Sequence, residues 1–350
     1  MNRKDMVLEA FALGEPDVVP TATFGGDMWA LHTTGVSFES LIGCPEEMAR
    51  IHIETNTRMG FPIAYLGSGF KNYQAAALGG AIRFGGAGVP HLVKPLISEA
   101  ARLQELNIED LATDQAIQTI WEATSLVASR LGDEVVVAAC AWGPFTLAAQ
   151  IYGLENMMRA VVKRPREAKM VVEFATRVIM RFYEPLLEKK VIALASIADM
   201  AASGDLVSRK HFAEFALPSL EELMANIRSK GARTLLHICG DTSDKLDLLV
   251  ESRADCVSID HKVDIAEAKR VFRGRTCLAG NVDPVHVLLE GTPSDVEETC
   301  WDCLSKAAPG GGFILMPGCD IPPAVPEENL RTFLRAADSW VVRSALVAAR

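Results

Sequence analysis

Short apolar or small-residue runs recur along the chain, each followed within three residues by Gly, Pro or a polar residue. The first is Val18–Phe24 and the second Phe61–Leu66; then come Val135–Cys140, Ile192–Ile197, Leu235–Cys239, Cys256–Ile259, Thr276–Ala279 and Phe313–Met316. Most are apolar at consecutive positions, which is the pattern of strands buried on both faces rather than of half-exposed strands. Between them lie segments with apolar residues at helical spacing, such as the one from about Asp114 to Leu131. Eight strand–helix units predict an α/β fold, a closed (β/α)8 TIM barrel, with an open doubly wound sheet as the alternative. We expect a single domain over residues 1–350. A short helix over Arg3–Leu13 forms an N-terminal extension, and an insertion follows the second strand. That insertion contains Ala75–Gly80 and Gly85, Gly86 and Gly88, and its length predicts a lid or a pocket wall.

Composition narrows the function classes. The chain has 350 residues, 49% of them hydrophobic, which is enough to fill a large core. A net charge of −10 without a basic cluster argues against nucleic acid or an anionic membrane as partner. No apolar run is long enough to span a bilayer, and Met1–Asp5 leads into the first helix without a signal-peptide core. The eight cysteines are scattered without framework spacing, as expected of reduced thiols in the cytoplasm. Gly25-Gly26 and Gly79-Gly80 do not match a phosphate-binding loop.

Candidate chemistry collects at the strand ends, where a parallel barrel places its active site. His237 and Cys239 are two residues apart at the end of the fifth strand, so their side chains face one side. Cys319, in the turn Met316-Pro317-Gly318-Cys319 after the eighth strand, supplies a third donor. One imidazole and two thiolates form a soft ligand set suited to zinc, and three protein ligands leave a fourth position for substrate. Asp199, Asp260 with His261, the run Gly280-Asn281-Val282-Asp283-Pro284 and Asp320 follow other strands. Asp199 reads either as an acid in the barrel mouth or as a helix cap or ion-pair partner. Cys300-Trp301-Asp302-Cys303 lies inside a helical pattern from Asp295 to Ala307 and is assigned to packing rather than to metal or redox chemistry.

These motifs carry a resemblance. Gly143-Pro144-Phe145-Thr146, the Asp199 segment, Gly280–Pro284 and the His-x-Cys/Cys pair occur in the order found in the uroporphyrinogen decarboxylase superfamily. The metal motif resembles that of its zinc-dependent, corrinoid-linked methyltransferases. The resemblance implies Zn²⁺ held by His237, Cys239 and Cys319, and a methyl group carried by methylcobalamin or another corrinoid on a partner protein. It also implies catalytic or orienting roles for Asp199 and Asp260, and cofactor contacts for Asn281 and Asp283. The decarboxylase branch itself fits poorly. Its arginine-bearing segment is replaced here by Thr23-Phe24-Gly25-Gly26-Asp27-Met28-Trp29, which leaves a tetrapyrrole polycarboxylate without counter-charge. Trp29, Tyr65 and Tyr73, with Phe70, are expected to form an aromatic wall binding the small molecule. The expected function is therefore demethylation of a methoxylated aromatic, as in O-demethylase methyltransferase components. A methylcobamide:thiol methyltransferase of the coenzyme M type is the alternative. Less favoured are a decarboxylase and a non-catalytic zinc-binding partner of a corrinoid protein. A homodimer is compatible with all of these.

Overall fold

Strands that are apolar on both faces need cover on both, and the chain supplies it by curling its sheet around its own side chains and wrapping helices outside. The structure, a computed structural model, describes residues 2–85 and 89–348; Gly86 and Gly88 of the insertion fall outside the described residues. The strands are β1 (Ile63–Leu66), β2 (Ile82–Phe84), β3 (Pro90–Leu92), β4 (Val136–Trp142), β5 (Leu194–Ala198), β6 (Arg233–Ile238), β7 (Cys256–Ile259), β8 (Cys277–Val282) and β9 (Phe313–Pro317). Seven of them form one parallel sheet in the order β1-β4-β5-β6-β7-β8-β9. The eighth stave is the segment around Thr21, which makes a parallel bridge to Leu315 of β9. The fold is the expected (β/α)8 barrel.

The first stave is shorter than the expected Val18–Phe24 strand. Pro20 has no N–H to donate, so pairing there is limited to Pro20 and Ala22 exchanging bonds with Leu315. Side chains complete the seam, with the Phe24 and Tyr65 rings 6.1 Å apart between the first and second staves. The N-terminal helix, Arg3–Phe11, lies at the end of the barrel away from the strand tips. Its Lys4 donates to the carbonyls of Gly132 and Glu134, just before β4, and Gly14 receives a bond from Gly312, just before β9.

The insertion after β1 folds into the short helix Tyr73–Ala76, the antiparallel hairpin β2–β3 and two 3-10 segments. The next helix, Gln115–Leu131, starts where Asp114 accepts the Ile117 N–H at 2.9 Å. No helix among the described residues is long and apolar enough to cross a membrane. Cys300 and Cys303 are buried on the helix Pro293–Ala307, which fits packing and explains the C-x-x-C spacing without a ligand. Replacing both with Ser should lower unfolding free energy by about 1–3 kcal/mol in denaturant titrations. Metal content measured on the same sample should be unchanged; loss of metal would show that these thiols had been misassigned.

Candidate metal centre

β6 and β9 point the same way around the barrel, so residues just past their ends share one rim. His237 lies in β6, fully buried, between Ala198 of β5 and Ser258 of β7 in the sheet register. That register brings the Ser258 hydroxyl to 3.0 Å from His237 Nδ1, leaving Nε2 directed at the sulfurs. Nε2 is 2.9 Å from Cys239 Sγ, and Cys239 Sγ is 3.0 Å from Cys319 Sγ. All three donor atoms lie within 4.8 Å of one another. The Phe24 ring packs against the imidazole, with centroids 4.3 Å apart.

Two glycines let the chain turn at this point. Gly240 has φ +83°, and its N–H donates to Asp260 Oδ2 at 2.8 Å; a Cβ there would sit 2.4 Å from Ser203 Oγ. Gly318 lies so close to the backbone of Asp260-His261 that a Cβ would come 2.4 Å from the His261 nitrogen. The hydrogen bond from Cys239 pulls the Cys319 thiol down to about 4, with His237 adding to the effect. The same bond and burial push Cys239 upward. The two sulfurs thus act on each other in opposite directions, which favours a thiolate at Cys319. A buried imidazole and two half-buried sulfurs, with Cys239 lining a cavity, make a donor set that fits Zn²⁺ with one position left for substrate.

The acids are largely occupied in building the mouth. Asp199 is fully buried and caps the helix Pro144–Tyr152, accepting Thr146 N at 2.6 Å, Thr146 Oγ1 at 2.7 Å and Phe145 N at 3.3 Å. Burial pushes its pKa up to about 6 against those hydrogen bonds. Of its two readings, the cap accounts for every hydrogen bond the carboxylate makes. Asp260 accepts from Gly240 N, from Lys262 N at 3.0 Å, and has His261 Nδ1 at 3.0 Å; it does line the cavity.

Asn281 and Asp283 brace the neighbouring turns. Asn281 Nδ2 donates to the carbonyls of Asp260 at 3.0 Å and Val263 at 2.7 Å. Asp283 accepts Val285 N and His286 N at 2.8 and 3.0 Å and lies 3.6 Å from His261 Nε2. His261, singled out in the sequence, thus joins Asp260 to Asp283 at the rim.

The three aromatic residues expected to bind the small molecule do not line the cavity beside Cys239. The cavity beside Cys239 encloses about 640 Å³ and is bounded by residues of the hairpin arm, the Pro144 helix and the loops after β5, β6 and β7. Trp29, Tyr65 and Tyr73 are not among its walls. Trp29 is buried elsewhere, its Nε1 donating to the Val325 carbonyl at 2.8 Å beneath Arg58. Tyr65 is buried with its hydroxyl unpartnered, acted on by Cys140, Cys256 and Asp320, and Tyr73 packs against Phe70. Residues that the sequence did not single out are Ser258, visible only as a polar interruption of an apolar strand, and Lys71. The Lys71 ammonium lies 4.9 Å from the Trp142 ring centroid and favours ionisation of Cys239 and Asp320. Burial still pushes Asp320 up to about 7.

The uroporphyrinogen decarboxylase (URO-D) family model matches residues 2–340. The chain belongs to the uroporphyrinogen decarboxylase family. Within this family it is 29% identical over 236 residues to the methylcobamide:CoM methyltransferase MtaA of Methanosarcina barkeri, spanning 66% of each chain. It is 31% identical over 193 residues to the methylated-thiol–coenzyme M methyltransferase of Methanosarcina mazei, covering 55% of this chain and 50% of that one. A uroporphyrinogen decarboxylase from Myxococcus xanthus is 26% identical over 301 residues, 83% of this chain and 82% of that one. The solved structure of a methyltransferase from Methanosarcina mazei superimposes with a TM-score of 0.86 at 22% identity, covering 97% and 99% of the two chains, and shares the fold.

Two substitutions separate holding the metal from holding the mouth. Ser258→Ala should weaken zinc binding by about 10- to 100-fold in chelator competition, with the fold intact. Asp199→Ala should instead cost about 1–2 kcal/mol of stability, the scale of a lost helix cap, and leave zinc affinity unchanged.

Proposed function

We propose that this family member is a methyltransferase that passes a methyl group from a methylcobamide to a thiol held at Zn²⁺ by His237, Cys239 and Cys319. The observation that carries the reading is the clustered His/Cys/Cys set, its imidazole held by the Ser258 hydroxyl, opening onto the cavity at Cys239. Relatives named as methylcobamide:CoM and methylated-thiol–coenzyme M methyltransferases support the reaction class.

Zinc supplies a Lewis acid that lowers the pKa of a bound thiol and so provides thiolate at neutral pH. The balance is CH₃–Co(III) + RS⁻ → Co(I) + RS–CH₃. The Co–C bond breaks with both electrons left on cobalt, and a sulfur lone pair forms the new S–C bond. His237, held in place by Ser258 and packed by Phe24, would supply the nitrogen ligand, and Cys239 and Cys319 the two sulfur ligands. Asp260 acts through the backbone, keeping Gly240 and hence Cys239 in position. The methyl group arrives on a corrinoid carried by a partner protein.

A thiol acceptor replaces the methoxylated aromatic as the favoured small molecule. The three aromatic residues that argued for a planar ring lie outside the cavity walls, and relatives' names point to sulfur. A tetrapyrrole polycarboxylate is disfavoured by charge. Among the described residues lining the cavity, the cations are Lys94 and Lys262, and Lys262 is paired with Asp205 at 3.1 Å.

Purified protein should contain one zinc per chain by plasma mass spectrometry. Cys319→Ala should lose it and remain folded, because the barrel core does not depend on the metal. Free methylcobalamin should methylate small thiols in the presence of wild-type protein, followed by the cobalamin absorbance change, while phenyl methyl ethers should not be demethylated by cob(I)alamin. Zinc-free wild type, or full zinc in Cys319→Ala, would refute the metal assignment. Ether turnover without thiol turnover would reverse the choice of substrate.

A further inference from the structure

At the end of the barrel opposite the His/Cys/Cys donors, three arginines surround one depression of about 580 Å³. They come from three separate segments. Arg228 lies in the last turn of the helix Leu217–Ser229, Arg233 opens β6, and Arg253 lies just before β7. Arg233 and His237 are four residues apart in β6, so about 13 Å of strand separates the depression from the donors. Asp255 supplies the carboxylate in the walls, and its side chain is 5% exposed. Its Oδ2 is committed to β6, accepting Thr234 N at 2.9 Å and Thr234 Oγ1 at 3.0 Å. That leaves Oδ1 facing two guanidiniums, Arg233 Nη1 at 2.9 Å and Arg228 Nε at 3.7 Å. Three guanidiniums against one carboxylate leave the walls at +2, on a chain of net charge −10.

Capping of helix ends does not require this convergence. Lys230 N and Gly231 N close the helix Leu217–Ser229 on the carbonyls of Ile227 and Arg228, each at 3.0 Å. Arg253 is held in the left-handed backbone region at φ +61°, with its carbonyl accepting Arg228 Nη1 at 3.1 Å. A long side chain persists in that region only where its surroundings fix it. Its own guanidinium is 72% exposed, and the Glu221 carboxylate, outside the walls, stands 3.9 Å away. Gly231 has nothing within 4 Å of where a Cβ would lie, which leaves that wall open. We propose that this depression binds a small phosphoryl anion, a diphosphate, free or esterified. The inference is independent of the methyl-transfer reading. A tetrahedral phosphoryl group presents oxygens in three directions and carries more than one charge, so it can answer guanidiniums that arrive from three segments. A carboxylate offers two oxygens in one plane and a single charge. Guanidinium forks take phosphate oxygens in pairs, and the volume suits a small molecule rather than a lone ion.

Calorimetric titration of the full chain with inorganic pyrophosphate should show one site per chain, with affinity falling as salt is raised. Arg253→Ala should weaken binding about tenfold or more while circular dichroism and metal content stay at wild-type values. Arg253→Lys should recover only part of the loss, because it returns the charge without the fork. Arg270→Ala, equally exposed but outside the walls, is the control and should bind as wild type does. Cys319→Ala should also bind normally, which separates this site from capture of pyrophosphate at the His/Cys/Cys donors. ADP distinguishes the sources: tighter binding than pyrophosphate assigns the site to an esterified diphosphate, weaker binding to the free anion, and both support the proposal. Absence of pyrophosphate binding, or undiminished binding in Arg253→Ala, would overturn it. Citrate binding as tightly as pyrophosphate would overturn the choice of a phosphoryl ligand. Loss of methyl transfer with pyrophosphate binding intact would count against the proposed function alone.

Discussion

Two sulfurs separated by 80 residues meet at 3.0 Å only because β6 and β9 run parallel and end on the same rim of a closed sheet. Everything else at the site depends on that convergence. The register that pairs Ala198, His237 and Ser258 in neighbouring strands aims the imidazole, and the two glycines beside the cysteines let the chain turn into the mouth. A flatter or slipped sheet would carry the same residues and bring none of them together, since a one-residue slip reverses every side chain.

The carboxylates around this centre illustrate how a barrel mouth is kept open without collapsing. Asp199 anchors the helix after β4, Asp260 the turn after β6, and Asp283 the turn after β8. Asp199 and Asp260 satisfy buried backbone N–H groups, where an unmet donor costs about 1–3 kcal/mol, whereas Asp283 caps an exposed turn. Their clustering near the His/Cys/Cys donors thus reflects loop construction as much as chemistry. Asp260 serves both ends, since it borders the cavity and holds the neighbour of Cys239.

Strand positions were legible because doubly buried strands leave no polar alternation to misread, and β4 is buried at every one of its seven residues. The donor set was legible for a related reason: polar residues placed just past apolar runs must lie at strand tips. The direction of the aromatic residues was not. Trp29 follows a stave only one bridge long, and its indole turns toward Val325, a partner almost 300 residues away that no local pattern reveals. Ser258 was equally hidden, because a single hydroxyl in the strand Cys256–Ile259 gains meaning only once β6 is known to lie beside it.

The division of labour along the chain has a consequence for how such proteins diversify. The donors and their supports lie between Arg233 and Cys319, apart from Phe24. The arm Leu92–Pro95 and the stretch from Thr146 to Leu154 supply walls and no ligands. Mutation in these outer segments can reshape what is admitted while the half that carries the donor set is left untouched. The scaffold is therefore modular: one reactive element can be combined with many entrances, each changed by a few exposed side chains.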